Sequence, residues 1–96
     1  MPFALTFTPE AARVLRELEA EGSLKLKKVR KALALLEANP RHPGLATHEF
    51  ASLSGPTGEK VFEAYVENRT PGTWRVFWYY GPLPGMIRIL NITTHP

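Results

Sequence analysis

The apolar positions of this chain change period along its length, and the changes mark out its elements. Phe3-Ala4-Leu5-Thr6-Phe7 is a short apolar-rich run that predicts a first strand. From Thr8 the period becomes helical: Ala11, Val14, Leu15 and Leu18 share one face, and Arg13, Arg16, Glu17 and Glu19 point outward. Thr8 is the expected N-cap, Pro9 sits where a missing N–H costs nothing, and Glu10 faces the positive helix end. This helix is expected to run to about Glu21 and to stop at Gly22. Ser23 can cap a second helix whose buried stripe is Leu26, Val29, Leu33 and Leu36. Asn39-Pro40 closes it, because a residue before proline is pushed out of the α region.

Residues 41–58 are rich in Pro and Gly and read as an exposed loop, with one short extended piece around His48-Glu49-Phe50. Extended runs then cover 60–68, 73–80 and 86–95, separated by Arg69-Thr70-Pro71-Gly72 and Gly81-Pro82-Leu83-Pro84-Gly85. Short turn-rich links mean hairpins, so the expected order is βααβββ. The fold class is α+β: one domain over 1–96, with a two-helix hairpin packed on one face of a small antiparallel sheet. Alternation assigns Phe62, Ala64 and Val66 to the core, and Glu63, Tyr65 and Glu67 to the open face. Trp74, Val76 and Trp78 bury against the helices, while Arg75, Phe77 and Tyr79 share the other side. Ile87-Arg88-Ile89-Leu90-Asn91-Ile92 is apolar on both sides, which puts it inside the sheet without fixing its facing. By parity His95 accompanies Asn91 and Thr93 on the open face.

A chain of 96 residues buries only about 60–65% of the surface its unfolded form exposes, so the core must be economical. The absence of cysteine excludes disulfides, thiolate zinc sites and a cysteine nucleophile, and fits a cytosolic home. No apolar run is long enough to span a membrane, and no signal peptide is read at Met1-Pro2-Phe3. No His and carboxylate spacing suits a metal, so neither metal nor other cofactor is expected.

The formal charge of +3 is unevenly spread: residues 1–21, 22–48, 49–68 and 69–96 carry −2, +5, −3 and +3. Lys25, Lys27, Lys28, Arg30 and Lys31 put five bases in seven residues near a helix start, where they oppose the helix dipole. Attraction to RNA phosphates, or to another polyanion, is the compensating use, and Lys60 joins them as a candidate RNA contact. Tyr65 and Tyr79 are candidate platforms for stacked bases, or ordinary sheet-face packing.

Cleavage of RNA by its own 2′-hydroxyl needs a base for that proton, a stabiliser for phosphorane charge and an acid for the leaving 5′-oxygen. The candidates are Glu63 or His48 as base, Arg75 as charge stabiliser and His95 as acid, all expected near the open sheet face or its rim. Arg75 also admits a structural reading, paired with Glu63 on the neighbouring strand. His42 reads as a surface residue.

Five pieces in order resemble the RelE/ParE superfamily of toxins from toxin–antitoxin pairs. They are Leu35-Leu36-Glu37-Ala38-Asn39-Pro40, His48-Glu49-Phe50, Val61-Phe62-Glu63-Ala64-Tyr65, Trp74-Arg75-Val76-Phe77-Trp78-Tyr79 and Ile92-Thr93-Thr94-His95. The resemblance implies two helices on one face of an antiparallel sheet, an antitoxin partner and, usually, ribosome-dependent cleavage of mRNA. It implies that Arg75 contacts the scissile phosphate, with His48 and His95 assisting. Another branch with the same scaffold inhibits DNA gyrase. Tyr65 stands where many members carry arginine, and the chain stops at Pro96 where several continue, so a gyrase inhibitor or an inactive antitoxin-binding member stays open.

Overall fold

The computed structural model describes residues 2–22, 24–67 and 73–94. Strand β1 (Ala4–Phe7) leads into helix α1 (Pro9–Glu21) and helix α2 (Leu24–Ala38). A 3₁₀ turn at Pro43–Leu45 precedes strands β2 (His48–Ser54), β3 (Lys60–Tyr65), β4 (Trp74–Tyr80) and β5 (Met86–Thr94). The expected Ser23 cap and the turn at 69–72 fall outside the described residues. Among the described residues no helix is long and apolar enough to cross a membrane.

Helix α1 begins and ends as its sequence dictates. The Thr8 hydroxyl accepts from the Ala11 N–H, and Gly22 closes the helix in the left-handed region at φ 62°, donating its N–H to Leu18 O. Ala11 and Leu18 are buried from α1, and Leu26, Val29, Ala32, Leu33 and Leu36 from α2. They cover Ala64, Val76, Trp78, Ile87, Ile89 and Ile92 on one sheet face. Each large aliphatic side chain fully buried here contributes roughly 1.5–3 kcal/mol of transfer free energy. Phe62 and Trp78 stack in this layer with centroids 4.9 Å apart.

The sheet order is β1-β5-β4-β3-β2. Two expectations are corrected here. The sheet is not wholly antiparallel, because β1 pairs parallel to β5 after the helical crossover. The segment read as a loop with a short extended piece contains a seven-residue edge strand, β2, paired antiparallel to β3. Composition over the whole of 41–58 hid a run, His48 to Ser54, that holds neither Gly nor Pro.

Strand β5 lies between β1 and β4, as its two apolar sides require. Its facing was unreadable because of a bulge. Phe77 stands opposite Asn91 while Trp78 stands opposite Ile89, leaving Leu90 as an extra residue on β5. The extra residue reverses the alternation, so Ile87, Ile89 and Ile92 all reach the helical side. The Leu90 carbonyl accepts a 2.7 Å hydrogen bond from the Thr8 hydroxyl, which ties the start of α1 to the bulge.

Candidate functional site

The sheet face turned away from the helices collects the charged and polar residues that the strands cannot place in the core. Cross-strand register sets their order: His48 lies opposite Glu63, Glu63 opposite Phe77, Tyr65 opposite Arg75, and Arg75 opposite Thr93. Directly opposed residues share a face, so His48, Glu63, Tyr65 and Arg75 form one group. His48 Nε2 lies 2.7 Å from Glu63 Oε1, and Arg75 Nε lies 3.7 Å from Glu63 Oε2.

The members of this group differ sharply in access. Glu63 is wholly buried, the Arg75 side chain is 5% exposed, and the His48 side chain is 46% exposed. These residues were expected near the open sheet face or its rim; the structure leaves the imidazole half-exposed and Tyr65 partly so, and buries Glu63 and Arg75. Arg75 is covered by the Tyr65 ring, whose centroid lies 4.1 Å from its Cζ, in a cation–π contact. Its Nη1 donates to Thr73 O at 2.8 Å and to the Thr73 hydroxyl. The structural pairing of Arg75 with Glu63 is therefore present, on the face away from the helices.

Two buried opposite charges at this spacing hold each other in place, since removing either leaves the other without that compensation where water does not reach. Glu63 in turn fixes the His48 ring through Nε2. The other ring nitrogen, Nδ1, is 3.3 Å from Ala46 O, a long contact that a better acceptor or donor can displace. The Tyr65 ring lies 5.5 Å from the imidazole and completes the wall.

The remaining candidates are dispersed. Tyr79 is 4% exposed, so its ring is sheet-face packing and offers no platform for a base. Tyr65 is half-buried with Arg75 against its ring. Lys60 is exposed at the start of β3. Lys25, Lys27, Lys28, Arg30 and Lys31 lie on α2, in the layer across the sheet from Arg75. Lys28 Nζ bonds Glu67 at 2.8 Å with Lys25 Nζ 4.0 Å from the same carboxylate, and Arg30 pairs with Glu19 at 3.1 Å. Glu67 does not continue the open face: β3 ends at Tyr65, and the chain then bends toward α2. The Lys28 hydrogen bond, reinforced by the Lys25 charge, holds the Glu67 carboxyl below the usual glutamate range. Lys27 and Lys31 have no ion pair among the described residues. His95 lies outside the described residues; Asn91 and Thr93 do share the Arg75 face, opposite Phe77 and Arg75.

Sequence reasoning missed Thr73, Phe50 and Arg88. Thr73 anchors the guanidinium, Phe50 packs edge-on against Phe77 at 5.0 Å, and Arg88 stands opposite Tyr79 on the same face. Recognising the Gly- and Pro-free run after His48 would have found Phe50; Arg88 was hidden by the bulge.

The same architecture occurs in solved structures of toxins. RelE from the archaeal RelE–RelB complex of Pyrococcus horikoshii superposes with a TM-score of 0.68 at 15% identity, over 98% of this chain and 96% of that one. The YoeB/ParE toxin of Agrobacterium tumefaciens gives 0.72 at 10% identity, over 97% and 99%. YoeB from the Staphylococcus aureus dimer gives 0.66 at 14% identity, over the full length of both. No family model matches the chain, and no curated protein does. The two helices on a five-stranded, mostly antiparallel sheet are the α+β fold of RelE-type toxins.

Proposed function

We propose that this chain is the toxin of a toxin–antitoxin pair and cuts mRNA on the ribosome through attack of the RNA's own 2′-hydroxyl. The observation that carries the reading is the half-exposed His48 imidazole 2.7 Å from a buried carboxylate that Arg75 braces. A ring held at Nε2 by a carboxylate has a fixed orientation, which is what a positioned general base requires.

In the reaction His48 Nδ1 takes the 2′-hydroxyl proton as the 2′-oxygen bonds to phosphorus. The bond from phosphorus to the 5′-oxygen breaks, and that oxygen takes a proton from an acid, the role proposed for His95. The products are a 2′,3′-cyclic phosphate and a 5′-hydroxyl. Glu63 and Arg75 act on His48 as positioning residues, in place of the base and charge-stabilising roles expected of them. Lys27, Lys31 and Lys60 supply exposed positive charge for ribosomal RNA, with Lys25, Lys28 and Arg30 beside them. The antitoxin partner finds an uncovered sheet edge at β1. The site of action is the translating cytoplasm.

Burial of Arg75 and Glu63 favours a second reading, a non-enzymatic toxin that blocks gyrase or only binds its antitoxin. Expression in a translating extract, with mRNA ends mapped by primer extension, separates the two. New ends inside translated frames that disappear with Arg75→Ala support cleavage. Intact messages together with failed DNA supercoiling select the gyrase reading.

A further inference from the structure

A cavity of about 360 Å³ opens on the helical side of the sheet, between the segment from Pro40 to His48 and the strands. Its floor is aromatic. Phe62 and Trp78 stack at 4.9 Å, and Tyr80 meets Trp78 edge-on at 4.8 Å. Its rim carries Arg41, His42 and His48, and no acidic residue lines it among the described residues. Arg41 is exposed and has no ion pair among the described residues. His42 Nδ1 accepts the Gly44 N–H at 2.9 Å, so the ring proton sits on Nε2 and is available to an acceptor. The buried indole N–H of Trp78 has no acceptor among the described residues, an uncommon condition for a buried donor.

We propose that this cleft binds a small planar aromatic carboxylate. The volume lies within the range of small-molecule sites, about 300–1,000 Å³. A flat ring matches the aromatic floor, where stacking and edge contacts reward planarity. Donors without acceptors at the rim select a negative group, and a guanidinium receives a carboxylate through two parallel hydrogen bonds. A cationic ligand finds no counter-charge, and a purely apolar one leaves the Arg41 guanidinium at the rim without a partner. His48 also lines the cleft, but its imidazole turns to Glu63 on the other sheet face, and binding does not rest on the nuclease reading.

The test is a titration of the full chain with indole-3-acetate, followed through the indole N–H signals in ¹H–¹⁵N correlation spectra. Trp74→Phe assigns the Trp78 signal. The expected result is a saturable shift of that signal, with affinity at least about tenfold lower for tryptamine and for Arg41→Glu, the loss of one charge-assisted contact. The unchanged remainder of the Arg41→Glu spectrum shows that it is folded. No saturable shift overturns the proposal, and so does equal binding of tryptamine or equal binding by Arg41→Glu. Binding of adenosine monophosphate without binding of indole-3-acetate also overturns it, since the cleft is then a nucleotide subsite.

Discussion

At the scale of single residues the consequential contact is between Glu63 and Arg75, because both are buried and opposite in charge. Replacing one member of such a pair costs about 3–5 kcal/mol, whereas replacing both by apolar residues of similar volume is near neutral or stabilising. Glu63→Leu is therefore expected to lower the urea unfolding free energy by about that amount, and Glu63→Leu with Arg75→Met to recover a substantial part. Additive losses in the double variant would show that the two side chains are held by their other neighbours. The face shared by Arg75, Phe77 and Tyr79 was legible because successive strand residues alternate sides and β4 pairs with β3 in unbroken register. Access was not legible: alternation assigns a side, but burial on that side depends on β2 and on Tyr65 folding over the guanidinium.

Among the elements, α1 and β5 are joined by Thr8, which both caps the helix and donates to the carbonyl left over at the Leu90 bulge. Thr8→Ala removes both bonds and is expected to cost about 1–2 kcal/mol. A lower urea midpoint with an unchanged slope is the result that bears this out; an unchanged midpoint contradicts it. Helix α2 is tied to the end of β3 through Glu67, whose carboxyl is held below its ordinary range by the Lys28 hydrogen bond and the Lys25 charge. The unfolded chain takes up this proton at higher pH than the folded chain, so the stabilisation is whole above the ordinary glutamate value and fades as pH falls through the lowered one. Glu67→Gln is expected to be up to about 1 kcal/mol less stable than wild type near neutrality, with the difference closing in acid. Urea titrations at several pH values measure it; a gap that widens in acid contradicts the sign. Both helices, the start and stop of α1 and the end of α2 were legible because Thr8-Pro9-Glu10, Gly22 and Asn39-Pro40 are local signals. The parallel pairing of β1 with β5 was not, since it joins residues some 80 positions apart in sequence, nor was the bulge, which shows only in the register of β5 against β4.

For the whole molecule, a sheet with helices on one side leaves the other side to carry a polar group, and the chain uses it for a buried ion pair with an imidazole at its edge. Fold likeness to RelE and YoeB at 10–15% identity does not by itself carry chemistry to this chain, so the weight falls on what His48 does. The basic stripe on α2 was legible as composition, but its pairing with Glu67 and Glu19 was not, because those partners come from other elements. The most direct measurement is the single-turnover rate at which purified wild type and His48→Ala cut a ribosome-bound message. Loss of a positioned general base costs about 10²–10⁴-fold, so the account predicts at least a hundredfold drop with the 3′ ends of the wild-type products blocked by a cyclic phosphate. Equal rates for the two proteins, free 3′-hydroxyl ends, or no cleavage by wild type would contradict it.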